Sequence, residues 1–138
     1  MLLPEMRAEL LRQHEDIRAL IVEVRAAIAR IRVHRVTADA LRACLRAVDR
    51  ALSAHHRCEE DVLCAELQSA ASGPLRTALM TDRHRREHDH VQHALAQAAI
   101  VPDPLLAARA AERVIDDVLA HMALEERDLF ADRQETAA

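Results

Sequence analysis

Three pairs of metal-ligating residue types recur in this sequence, and the members of each pair stand four residues apart. The pairs are His55 with Glu59, His84 with His88, and His121 with Glu125. Side chains at this spacing lie on one face of an α-helix, one turn above each other. Imidazole nitrogens and carboxylate oxygens bind transition metals. Each pair therefore predicts two ligands that one helix presents to one metal ion or to two neighbouring ions.

These pairs, and a further histidine near the N-terminus, are in phase with the apolar residues around them. His14 follows Leu10 by four residues and precedes Ile17 by three, and His55 follows Leu52 by three. The side chains are therefore expected to point into a core, where a carboxylate or imidazole without a partner is costly. A single such histidine is commonly a hydrogen-bonded core residue. Here, however, four separate segments of the chain each carry inward-facing residues of metal-ligating type, and this favours a shared metal centre.

Two substitutes for the chosen ligands stand directly beside them. His56 and Glu60 repeat the four-residue spacing one position further along, and Glu126 follows Glu125. The phase of the apolar residues favours His55 with its partner four residues on, and it favours Glu125. Both substitutes stay open as alternatives at this stage.

The other residues with metal-binding or nucleophilic side chains have simpler predicted roles. The histidines expected at the surface are His34, His90 and His93. The three cysteines fall in one predicted helix without a CxxC motif, which favours reduced thiols over a disulfide or a zinc–thiolate site. Cys58 lies one turn from His55 and is expected to be a small side chain in a helix interface.

The composition predicts that helices alone carry these residues. Gly occurs once, Phe130 is the one aromatic residue, and Ala, Leu, Arg and Glu dominate. Breaks at 34–40, 69–74 and 101–104 divide the chain into helices over about 4–33, 38–70, 75–99 and 104–131, with a frayed tail after them. Short connections between long amphipathic helices predict one all-α domain over 1–138, an antiparallel up-down-up-down four-helix bundle.

Several classes of function have little support in the sequence. The chain has no Lys and its arginines are scattered, so neither Schiff-base chemistry nor a nucleic-acid surface is expected. It has no Gly-rich phosphate loop and no run of about eighteen apolar residues that could span a membrane. The N-terminal residues lack the apolar stretch of a signal peptide, which favours a cytoplasmic location. The oligomeric state is left open.

The order of the motifs resembles the hemerythrin and HHE cation-binding superfamily. A lone His is followed by HxxxE, by HxxxH and by His with a carboxylate, and the local phrases HEDIRALI, HxxxEExVL and HxxxEExxLF match over about residues 10–130. The resemblance implies two non-haem iron ions, Fe2+ or Fe3+, with an oxo or hydroxo bridge and with Glu59 and Glu125 as bridging ligands. The implied ligand set is His14, His55, Glu59, His84, His88, His121 and Glu125.

One departure from the oxygen-carrying members concerns the last ligand. Those proteins have Asp five residues after the last metal-binding His, whereas this chain has Glu at both four and five residues after His121. The HHE-type branch of the superfamily uses the four-residue spacing, which favours Glu125 over Glu126.

Seven protein ligands leave at least one iron position open for a small ligand such as O2, peroxide or NO. The resemblance implies oxygen binding or sensing, or alternatively a di-iron redox enzyme in peroxide breakdown or in nitrosative or iron stress repair. Carriers in the family usually surround the O2 pocket with bulky aromatic side chains, and this chain has Phe130 alone. Sensing or peroxide chemistry is therefore expected rather than a long-lived oxygenated form. A third hypothesis is a metal-free helical module whose function is contact with other proteins.

Overall fold

A computed structural model of the chain describes residues 3–69 and 74–128, with side chains given except at 63, 64, 66–69, 74–81 and 128. It contains four helices: α1 (Pro4–His34), α2 (Asp39–Ser69), α3 (Pro74–Ala99) and α4 (Pro104–Asp128). No strand occurs within the described ranges. Phe130 and the last predicted turn of helix four lie outside the described residues, as does the tail that the sequence predicts to fray.

Prolines mark helix starts, and a residue in the left-handed region marks the end of α1. Pro4 and Pro104 each stand at the first position of a helix, where the missing N–H removes no hydrogen bond. Asp103 caps α4, since its Oδ2 accepts a 2.9 Å hydrogen bond from the Leu106 backbone N–H. Helix α1 ends at Arg35, whose φ of 50° and ψ of 40° let its N–H bond back to the carbonyl of Ile31.

The helices pack as a closed four-helix bundle. Each helix contacts its neighbours along the chain, and α1 also contacts α4, which closes the ring. The links at 35–38 and 100–103 are four residues long, so the helices that they join run antiparallel. The prediction of an all-α up-down-up-down bundle is confirmed.

Two apolar clusters of very different size fill the bundle. The larger one contains aliphatic residues from all four helices, including Ile17, Leu52, Val91 and Val118. Burial of each such side chain stabilises the fold by roughly 1.5–3 kcal/mol. The smaller one surrounds Leu10. No helix in the described part of the chain is both long and apolar enough to cross a membrane.

Candidate metal centre

Histidine and glutamate side chains fill the level of the bundle between the two apolar clusters. His14 stands between Leu10 of the smaller cluster and Ile17 of the larger one, and it is fully buried. The structure brings together at this level all seven residues singled out in the sequence. They are His14, His55, Glu59, His88 and Glu125, which are at most 3% exposed, and His84 and His121, which are 14% and 12% exposed.

Six of these side chains form two groups that share both carboxylates. The first group is His14, His55, Glu59 and Glu125, and the second is Glu59, His84, His88 and Glu125. Within each group, one nitrogen or oxygen from every residue lies within 4.8 Å of the others, close enough to hold one metal ion. Glu59 and Glu125 therefore face two potential metal positions at once.

The two oxygens of Glu125 point to opposite sides of the cluster. Oε1 lies 3.0 Å from His14 Nε2 and 3.6 Å from His55 Nε2. Oε2 lies 3.3 Å from His84 Nε2 and 3.2 Å from His121 Nε2. The carboxylate thus connects the histidines of α1 and α2 with those of α3 and α4.

Glu59 divides its oxygens in the same way. Its Oε2 lies 2.8 Å from His55 Nε2, whereas its Oε1 contacts His84 and lies 3.4 Å from His88 Nε2. Because each carboxylate reaches both groups through different oxygens, the pair has the arrangement of two bridging ligands.

For two of the histidines, a side chain outside the cluster contacts the Nδ1 atom, which faces away from the cluster. His55 Nδ1 lies 2.8 Å from Gln13 Oε1, and His88 Nδ1 lies 3.1 Å from Glu60 Oε1. With the proton on Nδ1, each ring donates to these oxygens and turns the Nε2 lone pair toward the cluster. This is the usual orientation of metal-binding histidines.

Glu60 and Glu126, the two substitute carboxylates, lie outside the cluster. Glu126 is 28% exposed and pairs with Arg18, and its Oε1 is 3.7 Å from His14 Nδ1. Glu60 is 24% exposed and lies between His88 Nδ1 and Arg85. Both contact the outer nitrogen of a histidine, so the structure puts them behind the cluster and leaves Glu59 and Glu125 within it.

Burial keeps several of the imidazoles in the neutral form that can bind a metal. It lowers the pKa of His55 below the usual 6.5 and that of His84 to about 4. For His121 burial lowers the pKa, but this is outweighed by the carboxylate of Glu125, whose Oε2 lies 3.2 Å from His121 Nε2, and the pKa is raised. A cation at the cluster would compete with that proton for the His121 lone pair.

The two inner carboxylates affect each other in the absence of a cation. Burial, followed by the adjacent Glu125, raises the pKa of Glu59 far above its usual range. Burial also acts against the charge of Glu125, but the ring nitrogens of His121, His14 and other histidines that lie close to its oxygens lower its pKa. Two carboxylates this close are not both charged unless positive charge lies between them.

Polar atoms without partners are concentrated in the cluster. Four of them are Glu59 Oε2, Glu125 Oε2, His88 Nε2 and His121 Nε2, which are buried and have no hydrogen-bond partner within the described structure. Some approach another ligand atom closely, but without hydrogen-bond geometry. Such atoms are rare in folded proteins, and mixed imidazole and carboxylate donors suit a transition metal such as iron.

A match to a protein family agrees with this chemistry. The family model described as the hemerythrin HHE cation-binding domain matches residues 5–132. The chain belongs to this family. The predicted resemblance is thus confirmed over nearly the whole chain, and cation binding is the property that the family name and the cluster share. Searches of curated proteins and of solved structures gave no match.

This hemerythrin HHE domain also buries His56, which the sequence analysis gave as the less favoured alternative to His55. His56 is 3% exposed, and its ring lies parallel to that of His88 with centroids 3.4 Å apart. His56 also forms a third group of possible metal-binding residues with His88 and His121. His56 stands four residues after the buried Leu52, and this helical spacing was the sequence feature that could have predicted its burial. The histidines predicted at the surface, His34, His90 and His93, are exposed.

Proposed function

We propose that this protein binds two iron ions and a small exogenous ligand, O2, peroxide or NO, at an open iron position. His14 and His55 hold one iron, and the other is held by His84, His88 and His121. Glu59 and Glu125 would be ligands of both ions, since both groups share them. The main support for this proposal is that Glu59 and Glu125 belong to both groups of possible metal-binding residues.

The unequal number of histidines at the two positions favours an open coordination position at one of the two ions. The two shared carboxylates would be available to both ions. Three imidazoles would hold one ion, whereas the two imidazoles of His14 and His55 would hold the other, which would leave room there for an exogenous ligand. An iron with nitrogen and carboxylate ligands and a vacant position can bind and reduce small oxygen or nitrogen ligands.

A surface pocket reaches the edge of the cluster at His121. It lies between α3 and α4, has a volume of about 360 Å³, and includes the side chain of His121 in its wall. Arg83, Arg86 and Glu87 also line the pocket, so two guanidinium groups and one carboxylate face it. The pocket can therefore admit neutral gases and small anions.

The surroundings of the cluster favour sensing or peroxide chemistry over oxygen storage. Buried residues one turn from the proposed ligands are aliphatic, among them Ile17, Leu52 and Val118. No Phe, Tyr or Trp occurs among the described residues. Aliphatic side chains shield a bound ligand from water less completely than large aromatic rings do, so the reduced protein is expected to autoxidise. A metal-free interaction module would leave the buried carboxylates and imidazoles unexplained.

Anaerobic reconstitution with Fe(II) tests the proposal. We expect about two irons per chain and, on adding O2, peroxide or NO in turn, visible charge-transfer bands. Zinc-loaded protein is the colourless control. Iron content below one per chain, or two irons whose spectrum none of the three ligands changes, contradicts the proposed function. An oxygenated spectrum that persists for hours in air would contradict the preference for sensing or peroxide chemistry alone.

A further inference from the structure

A second row of apolar residues runs along α1 on the side opposite to the core. The core residues of this helix include Ile17, Val24 and Ile31, which are buried. The residues of the second row, here called the outer stripe, are all exposed, and they are Ala19, Val22, Ala26, Ala29 and Val33. Val22 is 65% exposed and Val33 is 72% exposed. Helix α1 is therefore apolar on two faces, one of which is turned to solvent.

The spacing of the outer stripe is that of a contact between two helices. Its residues stand alternately three and four positions apart, as they do along the apolar contact of a two-helix coiled coil. From Ala19 to Val33 the stripe extends about 21 Å, at roughly 1.5 Å per residue. Its three alanines leave room for another helix to approach closely. Single exposed apolar residues are common, but five in this register match the face of a partner helix.

The charges on the α4 side of the outer stripe are compensated within the chain. Arg25 lies 3.9 Å from Asp116, and Arg32 lies 2.7 Å from Glu112. These carboxylates belong to α4, and they offset the two guanidinium groups beside the stripe. The arginines on this side therefore do not prevent a second α1 from packing there.

The charges on the other side of the outer stripe are complementary to their own copies. Glu23 and Arg30 are exposed and form no ion pair with another described residue. They stand seven positions apart, so they lie on the same side of the stripe. In an antiparallel pair of α1 helices, Glu23 of each copy comes opposite Arg30 of the other, and the two-fold axis generates this contact twice. A parallel pair would instead bring Arg25 of one copy close to Arg30 of the other.

We propose that the outer stripe of α1 is the interface of an antiparallel dimer between two copies of this chain. The proposal goes beyond the proposed function and does not rest on it. A contact along a single helix buries less than about 1,200 Å², which is typical of weak complexes, so we expect dissociation constants in the tens of micromolar. The pocket at His121 is lined by residues of α3 and α4, so it stays accessible in this dimer.

Sedimentation velocity of the iron-loaded protein, up to about 500 μM, tests for the weak dimer. We expect the unaltered protein to dimerise as its concentration rises. Val22→Glu and Val33→Glu each put a charge into the outer stripe, and each should weaken association at least about tenfold. The matched control is Ile100→Glu, at a residue that is 68% exposed and follows α3, and it should leave association unchanged.

Charge reversal tests the antiparallel arrangement. Glu23→Arg and Arg30→Glu each replace two attractive contacts by two repulsive ones, so each variant should dimerise with itself roughly tenfold more weakly. A mixture of the two variants should form mixed dimers, and the double variant should recover association. Circular dichroism checks that every variant keeps its helices.

Three outcomes would overturn the dimer proposal. The first is an unaltered protein that stays monomeric over the whole concentration range. The second is dimerisation that neither Val22→Glu nor Val33→Glu weakens, or that Ile100→Glu weakens equally. The third is a mixture of Glu23→Arg and Arg30→Glu that associates no better than either variant alone. Each of them leaves the proposed function standing, because none concerns the metal centre.

Discussion

At the scale of single residues, the site depends on which of two adjacent carboxylates points inward. Glu125 is 3% exposed and contacts ring nitrogens from both sides of the cluster, whereas Glu126 is 28% exposed and pairs with Arg18. Successive residues on a helix differ by about 100° in direction, so one faces the bundle axis and the next faces α1 at the surface. Two identical side chains therefore have different roles.

Glutamine substitutions at these two positions separate the roles. We expect Glu125→Gln to hold fewer than one iron per chain, because it weakens a ligand that both ions share. Glu126→Gln should keep two irons and bind them up to about tenfold more weakly, since it alters the surroundings of His14 Nδ1 and the pairing with Arg18 but removes no proposed ligand. Metal analysis after reconstitution and desalting measures both. If Glu126→Gln lost iron and Glu125→Gln kept it, the ligand assignment would be wrong.

At the scale of the helices, contacts between neighbours orient the ligands. Gln13 belongs to α1, but its side-chain oxygen accepts a hydrogen bond from the His55 ring of α2. Glu60 of α2 performs the same role for His88 of α3. Helices α1 and α2 therefore each contribute a group that orients a histidine on the next helix, and the orientation of these two rings depends on helix packing.

A substitution of Gln13 tests this contact between helices. Gln13→Leu removes the acceptor for His55 Nδ1, and we expect iron affinity to fall about 10–100-fold while the capacity stays at two ions per chain. Competition with a calibrated chelator gives the affinity. Gln92→Leu is the matched control, because Gln92 forms a comparable contact from α3 to Ser53 of α2, apart from the proposed ligands. An equal effect of both substitutions would indicate general loosening of the bundle.

At the scale of the whole molecule, the metal would connect all four helices at one level of the bundle. His14, His55, His88 and His121 come from α1, α2, α3 and α4 in turn. Without metal, buried imidazoles and carboxylates lie next to one another with several polar atoms unsatisfied within the described structure. Metal binding and folding are therefore expected to be linked.

Removal of the metal should lower the thermal stability of the bundle. With free metal at about a thousand times the dissociation constant, binding contributes about 4 kcal/mol to the native state. For a chain of this size that corresponds to a decrease in Tm of about 10 °C or more. Calorimetry of the iron-loaded and chelator-treated protein measures it. The Glu125→Gln variant should show little response to metal, and equal Tm values for both forms of the unaltered protein would refute the linkage.

The metal-free protein should also lose stability in acid. Burial lowers the pKa of three imidazoles below 6.5, to about 2 for His56 and about 4 for His84, with His55 also lowered. The unfolded chain then binds more protons than the folded one, so stability falls as the pH decreases below about 6.5. The raised pKa of Glu59 acts in the opposite direction. Above pH 4.5 its carboxyl group keeps a proton in the folded chain and loses it in the unfolded chain. Three imidazoles outweigh one carboxyl between about pH 5 and 6.5.

Urea unfolding of the metal-free chain at pH 7 and pH 5 shows whether its stability falls or rises as the pH decreases. We expect the lower midpoint at pH 5. The histidine with a raised pKa, His121, does not reverse this expectation, because its effect lies mainly above pH 6.5. A higher midpoint at pH 5 would mean that the folded metal-free chain binds the protons itself. The imidazoles would then be less buried than in the structure.

The sequence by itself determined the helices and one ligand-bearing face on each. Helical period and composition were sufficient for the four-helix fold, because both act locally along the chain. The four-residue spacings brought His84 beside His88 and His121 beside Glu125 for the same reason. The family followed from the order of those motifs, and its model matches residues 5–132.

Only the tertiary structure decided what each side chain meets on the other helices. A helix inside a four-helix bundle packs against two neighbours, so its buried face is wide enough for both His55 and His56, which contact different helices. The apolar period specifies that a residue is buried, but it does not specify which neighbour it meets. The sharing of Glu59 and Glu125 between two groups, the outer position of Glu60 and Glu126, and the unpartnered ring of His56 depend on the rotation of each helix about its axis. That rotation is set by packing among residues far apart in the sequence.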